Sequence, residues 1–314
     1  MKPPLHVAHQ FDDAAHCWLR SHLPDGTPLD RLSPDAPWDV PEGTTVLLVG
    51  NGKLRSLTRE KPQWAADLSW VHVRPTGIDA APEWLFDVPV LTISRGAAAT
   101  AIAEYVLAAM LQAEKRLPDI QVKQASEWAP RQVGALAGKS LGLFGFGEIG
   151  QAVASLAQAF GMTVRATRRR AVSSGSAVEL VSLPELCALS DHLVLCAPLT
   201  EETRNLFDKT TFSQCRPGQH FVNVARGGLV VPEALREALD GPVARATLDV
   251  WTEEPPPDGH WVYTHPRVCL TPHCSSSGPS TTLRLQQILE NNLGAWLAGR
   301  VEDMTGKVAR DGRY

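Results

Sequence analysis

The stretch KSLGLFGFGEIGQAVASLAQAF constrains the fold of this chain more than any other. Gly145, Gly147 and Gly150 stand in GxGxxG spacing directly after an apolar strand and directly before an amphipathic helix. That context lifts the motif above a chance run of glycines. Gly145 permits the tight turn, Gly147 lets main chain approach a pyrophosphate, and Gly150 lets helix and strand pack closely. The exposed amides of the helix start, at Glu148 and Ile149, would face the anion. The spacing predicts a dinucleotide-binding turn. Its alternative, a packing turn that binds nothing, is the reading given to VGNGKLRS, where Arg55 stands at the third glycine's place beside Gly50 and Gly52.

The next strand, MTVRATRRR, ends in arginines. Dinucleotide folds usually carry Asp or Glu there to accept hydrogen bonds from the adenosine ribose. Arg168 lies 18 residues beyond Gly150, and no acid occupies any position from Thr167 to Arg170. A carboxylate would repel the 2'-phosphate that distinguishes NADP from NAD, whereas guanidinium groups bind it in bidentate fashion. A unit pair at 4 Å and an effective dielectric of 20 is worth about 4 kcal/mol, so the sign reversal changes preference by orders of magnitude. The expected cofactor is NADP(H), with NAD(H) possible, held by Arg168 and by Arg169 or Arg170. A solvated basic loop is the alternative.

A chain of 314 residues suits two domains. The first part alternates short apolar runs with amphipathic ones (LHVAH, FDDAAHCWLRSHL, TVLLVGNG, KLRSLTREKPQWAADL, WVHVRPTG, VPVLTIS), and strands interleaved with helices in this way predict a parallel sheet covered on both faces. From Gly96 a long helix runs to about Arg116, stopped by Pro118, and a polar arm follows, ending in SEWAP. Six strand candidates from KSLGLFGFG to RVCLTPH imply a second, larger parallel sheet. The run PSTTLRLQQILENNLGAWLAG is helical and is expected to carry the chain back. The reading is α/β with two doubly wound parallel-sheet domains, 1–96 plus 282–314 and 97–281.

A formal net charge of −4 argues against nucleic acid or anionic membranes as partners. The start lacks the apolar core of a signal peptide, and the most apolar stretch is too short to span a bilayer, so a cytoplasmic location is expected. Six cysteines without a CxxC pair and ten scattered histidines point to neither a zinc site nor a redox dithiol, and no metal is expected.

Three further segments each place a functional group after a predicted strand: Arg226 in HFVNVARGGLVVPEAL, Asp249 and Glu254 in LDVWTEEP, and His273 in CLTPHCSSSG. Ligands of open α/β sheets bind beyond the carboxyl ends of strands, so these residues are expected to converge where the cofactor lies. Each has a duller reading: a turn charge, a helix-start acid, a strand-end histidine.

With TGID, AIAEYVLAAML, GFGEIG, APLTEETRNL, NVARGGLV, LDVWTEEP and TPHCSSSG in this order, the chain resembles the D-isomer-specific 2-hydroxyacid dehydrogenase family over nearly its whole length. Glyoxylate and hydroxypyruvate reductases look most similar. The resemblance implies a flavodoxin-like substrate domain, a Rossmann NAD(P)-binding domain, and Arg226, Glu254 and His273 as the catalytic set. Arg226 would pair with the substrate carboxylate and polarise the 2-oxo group. Protonated His273 would donate to the carbonyl oxygen as hydride arrives, and Glu254 would hold the imidazolium. The resemblance also implies that amides around Thr76 and Gly77 bind the substrate carboxylate. By the same resemblance Asp249 contacts the cofactor carboxamide, and Pro198, Val224 and Ala225 border the cofactor. It further implies that the arm near Trp128 serves a homodimer. Arg74, just before TGID, would suit a diacid or phosphorylated substrate; it equally suits an exposed strand residue, the reading preferred.

The implied activity is NADPH-dependent reduction of a small 2-oxo acid to the D-2-hydroxy acid. A nucleotide-sensing protein of the corepressor kind and a phosphoglycerate or formate dehydrogenase are the alternatives. Trp251, bulkier than the residue usual after LDV, leaves the substrate open.

Overall fold

The computed structural model describes residues 4–50, 52–168 and 178–310. These form two compact units, 1–97 with 282–314 and 98–281. The helices are α1 (Asp13–His22), α2 (Ala99–Lys115), α3 (Leu117–Ile120), α4 (Glu148–Ala159), α5 (Leu183–Leu189), α6 (Lys209–Ser213), α7 (Pro232–Leu239) and α8 (Pro279–Leu297).

The first unit is built on β1 (Val7–His9), β2 (Leu29–Arg31), β3 (Val46–Val49), β4 (Trp70–Val73) and β5 (Val90–Ile93). All pair in parallel in the order β2-β1-β3-β4-β5, the flavodoxin-like doubly wound arrangement. Successive strand side chains point to opposite faces, so the unit has two apolar layers. On one face Val7, Val46, Leu48 and Trp70 pack against Leu19 and Leu23 from the α1 end and Leu289 and Leu293 of α8. On the other, Ala8, Leu47, Val49, Val71 and Val73 pack against Leu54, Leu57, Leu68 and Leu85. That second cover differs from the helix expected of KLRSLTREKPQWAADL: it consists of single 3-10 turns, Lys53–Ser56 and Gln63–Asp67. Pro62 cannot continue a helix and caps the second turn. After α8 the chain returns along β5, where Ile93 N donates to Gly306 O and Val308 N to Leu91 O, both at 2.9 Å.

The second unit carries β6 (Ser140–Phe144), β7 (Thr163–Thr167), β8 (Glu179–Leu180), β9 (His192–Leu195), β10 (Gln219–Asn223), β11 (Val243–Leu248) and β12 (Val268–Leu270). The parallel order is β12-β11-β10-β9-β6-β7-β8. It reverses direction between β6 and β9, the switch point at which Rossmann sheets bind nucleotides. Six of these strands are the expected ones; β8, two residues long, is additional. The predicted long helix is α2, which ends where Arg116 adopts a left-handed φ of 50°. Among the described residues no helix is long and apolar enough to cross a membrane, and no cluster of His, Cys, Asp or Glu is placed to hold a metal ion.

Candidate active site

Candidate residues of the second unit leave successive strand ends. Across the sheet they run from His273 after β12, through Asp249 and Glu254 after β11, Val224 to Arg226 after β10 and Pro198 after β9. The row continues with the glycines after β6 and ends at Arg168 after β7. Five inter-strand steps at about 4.8 Å span about 24 Å, room for an extended dinucleotide along the row.

At the switch point each glycine has a separate steric duty. Gly145 takes φ 104°, and a Cβ there would lie 2.6 Å from Ala197 N. A Cβ on Gly150 would lie 2.5 Å from Gly145 O, so any side chain would push α4 off the turn. At Gly147 a Cβ would meet nothing within 4 Å, which leaves open space in front of the helix start. No side chain caps α4, so its first-turn amides at Glu148 and Ile149 have no intrahelical or capping acceptor. These residues fit a pyrophosphate. Arg168 is exposed at the end of β7; Arg169 and Arg170 lie outside the described residues.

At the other end of the row, His273 Nδ1 lies 2.9 Å from Glu254 Oε2. The carboxylate only accepts, so Nδ1 carries the hydrogen and Nε2 faces away from the pair. Glu254 Oε1 accepts from Trp251 N at 3.1 Å, which fixes the carboxylate against its own loop. His273 has φ 51°, a left-handed backbone uncommon outside glycine and a frequent mark of sites where geometry outweighs local strain. Its amide is tied to Asp249 O at 2.8 Å and Thr271 O at 3.0 Å.

The carboxylate of Asp249 is hydrogen-bonded within its own unit. It is 1% exposed. Its Oδ1 accepts from Thr271 Oγ1 at 2.6 Å and Cys274 N at 2.9 Å, and its Oδ2 accepts from Ser275 N at 2.8 Å. The carboxylate frames the segment on both sides of His273. Thr271 Oγ1 also lies 2.6 Å from the Tyr105 hydroxyl of α2. Neither Thr271 nor Tyr105 is singled out by the sequence, because a Thr before Pro and a Tyr within an apolar helix give no sign of the distant partner each meets.

Arg226 begins the turn after β10: its Nη1 donates to Ala225 O at 2.7 Å, and its carbonyl accepts from Asn223 Nδ2 at 2.9 Å. Val224 and Ala225 are buried, and Pro198 is exposed with its carbonyl bonded to Thr203 Oγ1. Gly227, which the sequence left unremarked, presses on the main chain of Trp251 and Thr252 with no room for a Cβ. Arg226 is thereby registered against the loop that carries Glu254.

Thr76 and Gly77 belong to the first unit, after β4, where Thr76 Oγ1 donates to Ser94 O at 3.0 Å. Arg74 is half-buried rather than exposed, its guanidinium 5.4 Å from the Phe11 ring centroid in a cation–π contact.

Residues 107–275 match the family model described as D-isomer specific 2-hydroxyacid dehydrogenase, NAD binding domain. The chain is 33% identical to a glyoxylate reductase from Aeropyrum pernix over 67% of each protein. It is 38% identical to a D-3-phosphoglycerate dehydrogenase from Bacillus subtilis over 58% of this chain and 36% of that one. The chain thus spans between about a third and two thirds of the length of these two curated relatives. Among solved structures, that of the TT0316 protein from Thermus thermophilus superposes with a TM-score of 0.77 at 30% identity over 97% of this chain and 100% of that one. A D-isomer specific 2-hydroxyacid dehydrogenase from Xanthobacter autotrophicus, solved with NADPH and MES, does so with a TM-score of 0.79 at 26% identity over 99% and 100%.

Proposed function

We propose, on the premise that this chain belongs to the D-isomer-specific 2-hydroxyacid dehydrogenase family, that it reduces a small 2-oxo acid of the glyoxylate or hydroxypyruvate kind to the D-2-hydroxy acid at the expense of NADPH. The observation that carries this reading is the His273–Glu254 pair at 2.9 Å, held at the tip of β12 on a left-handed backbone. A protein that only sensed nucleotide would have no use for an oriented acid at that point.

When bound, the nicotinamide supplies the hydride. The residues of this chain do the rest. The Arg226 fork pairs with the substrate carboxylate and draws electron density from the 2-oxo group. His273 donates its Nε2 proton to the carbonyl oxygen as the new C–H bond forms, and Glu254 keeps the ring turned for that transfer. The open space at Gly147 and the uncapped start of α4 take the pyrophosphate, with Pro198, Val224 and Ala225 along its path. Arg168, with Arg169, holds the 2'-phosphate. Leu117, Trp128 and Val133 are 66%, 82% and 44% exposed and support a homodimer formed through this arm.

Absorbance of NADPH and NADH followed against glyoxylate, hydroxypyruvate, pyruvate, a diacid and a phosphorylated 2-oxo acid tests the reading. Oxidation of NADPH by one of the first two supports it; selective turnover of the phosphorylated acid would shift it to the phosphoglycerate dehydrogenase class. The cofactor half has its own test. Arg168→Glu should lower kcat/KM for NADPH about tenfold to hundredfold, the loss of one or two charge-assisted hydrogen bonds, with little loss for NADH. Equal loss for both cofactors would remove Arg168 from the phosphate site.

A further inference from the structure

Four hydrogen bonds in the second unit form a chain that runs from the long helix to the loop bearing His273. Tyr105, half-buried on α2, places its hydroxyl 2.6 Å from Thr271 Oγ1. Thr271 Oγ1 lies 2.6 Å from Asp249 Oδ1. Asp249 in turn accepts from the amides of Cys274 and Ser275 at 2.9 and 2.8 Å. The directions follow from valence. An ionised carboxylate only accepts, so the single hydrogen of Thr271 points at Asp249, and the Thr271 oxygen is left to accept from Tyr105. Burial pushes the Tyr105 hydroxyl up to about 12, which keeps its proton in place through the neutral range.

We propose that Tyr105 is a positioning residue of the reductase site, acting through Thr271 and Asp249 to hold the 271–275 segment that presents His273. The proposal rests on the functional reading above and adds a member that touches neither substrate nor cofactor. His273 sits at φ 51°, where the local backbone alone disfavours a side chain. Its amide reaches Asp249 O and Thr271 O on one side, and the next two amides reach the Asp249 carboxylate on the other. The strained conformation therefore depends on its frame, and Tyr105 ties that frame to the long helix α2. A chain of bonds sharing donors in this way is strengthened by its end member.

The test uses the full chain and four variants: Tyr105→Phe, Thr271→Val, the two combined, and Thr271→Ser. Tyr105→Phe removes one hydroxyl from a half-buried ring and should lower kcat about fivefold with KM for NADPH unchanged. Thr271→Val should lower kcat at least as much, and the double variant should be no worse than Thr271→Val alone, because Tyr105 works through Thr271. Thr271→Ser, which keeps the hydroxyl, should restore turnover to near the wild-type value. Amide hydrogen exchange at Cys274 and Ser275 should quicken about fivefold in Tyr105→Phe as the frame loosens. A Tyr105→Phe kcat within twofold of wild type, or losses that multiply in the double variant, would overturn the proposal. Failure of the reductase reading has a different signature: a wild-type chain inert toward every 2-oxo acid while the exchange contrast persists, which keeps the brace and overturns its catalytic service.

Discussion

Replacing His273 with alanine is expected to lower turnover about 10²- to 10⁴-fold, the usual worth of a positioned general acid. Affinity for NADPH should stay within about twofold, since the imidazole after β12 lies four strand positions from the glycine turn after β6. Steady-state kinetics with the best 2-oxo acid and a fluorescence titration with NADPH measure the two quantities. Because residue 273 has φ 51°, alanine also carries a backbone cost, so His273→Asn is the companion variant: asparagine tolerates the left-handed region and cannot serve as the acid. Both variants should fall together. Turnover within tenfold of wild type in either would place the proton donor elsewhere.

The second large effect is expected from a residue with no functional group. In Gly227→Ala the new methyl would overlap the carbonyl of Trp251 and the amide of Thr252, both main-chain atoms that cannot swing aside. Overpacking of this kind costs about 3 kcal/mol, which lowers the melting temperature of a unit the size of 98–281 by about 6–12 °C. The turn would relieve the overlap by moving Arg226 off the 251–254 loop. A displacement near 1 Å in a substrate clamp costs about a hundredfold in kcat/KM. Gly228→Ala is the internal control, since a Cβ there meets the terminal carbons of Leu199, 3.0 and 3.4 Å away, and Arg204 Nη1 at 3.8 Å, all ends of side chains that can rotate. Equal melting temperatures and equal kcat/KM for the two variants would show that the turn accommodates the methyl and that the contact does not register Arg226.

These two residues also mark where sequence reading succeeds and where it stops. The glycine turn is legible because each glycine answers a local demand: a positive φ, an open approach, a close helix crossing. Ten of the twelve strands, all but β2 and β8, are legible from apolar runs, the clearest being those buried on both faces, as Val46–Val49 are. β2 escapes such a reading because three residues, none fully buried, leave no apolar run. The helix expected across residues 53–68 is wrong because an amphipathic pattern reports one buried face without reporting hydrogen bonding, and Pro62 divides the segment. Gly227, Thr271 and Tyr105 matter through partners 22 or more residues distant in sequence, and nothing in a local window reveals such a contact. Asp249 falls at the expected strand end, but its burial and its three internal donors depend on how the 271–275 loop folds back.

The discontinuity of the first unit bears on how the polypeptide emerges from the ribosome. Strands β1 to β5 are all made by residue 93, yet Leu289 and Leu293, which cover Val46, Leu48 and Trp70, belong to α8. About 180 residues of the second unit come between, which at about 5–20 residues per second delays that cover by about 10–40 s. Through that interval the nascent sheet holds one apolar face partly bare while the inserted unit is completed. Helix α8 thus closes a core whose sheet was begun before the inserted unit was made.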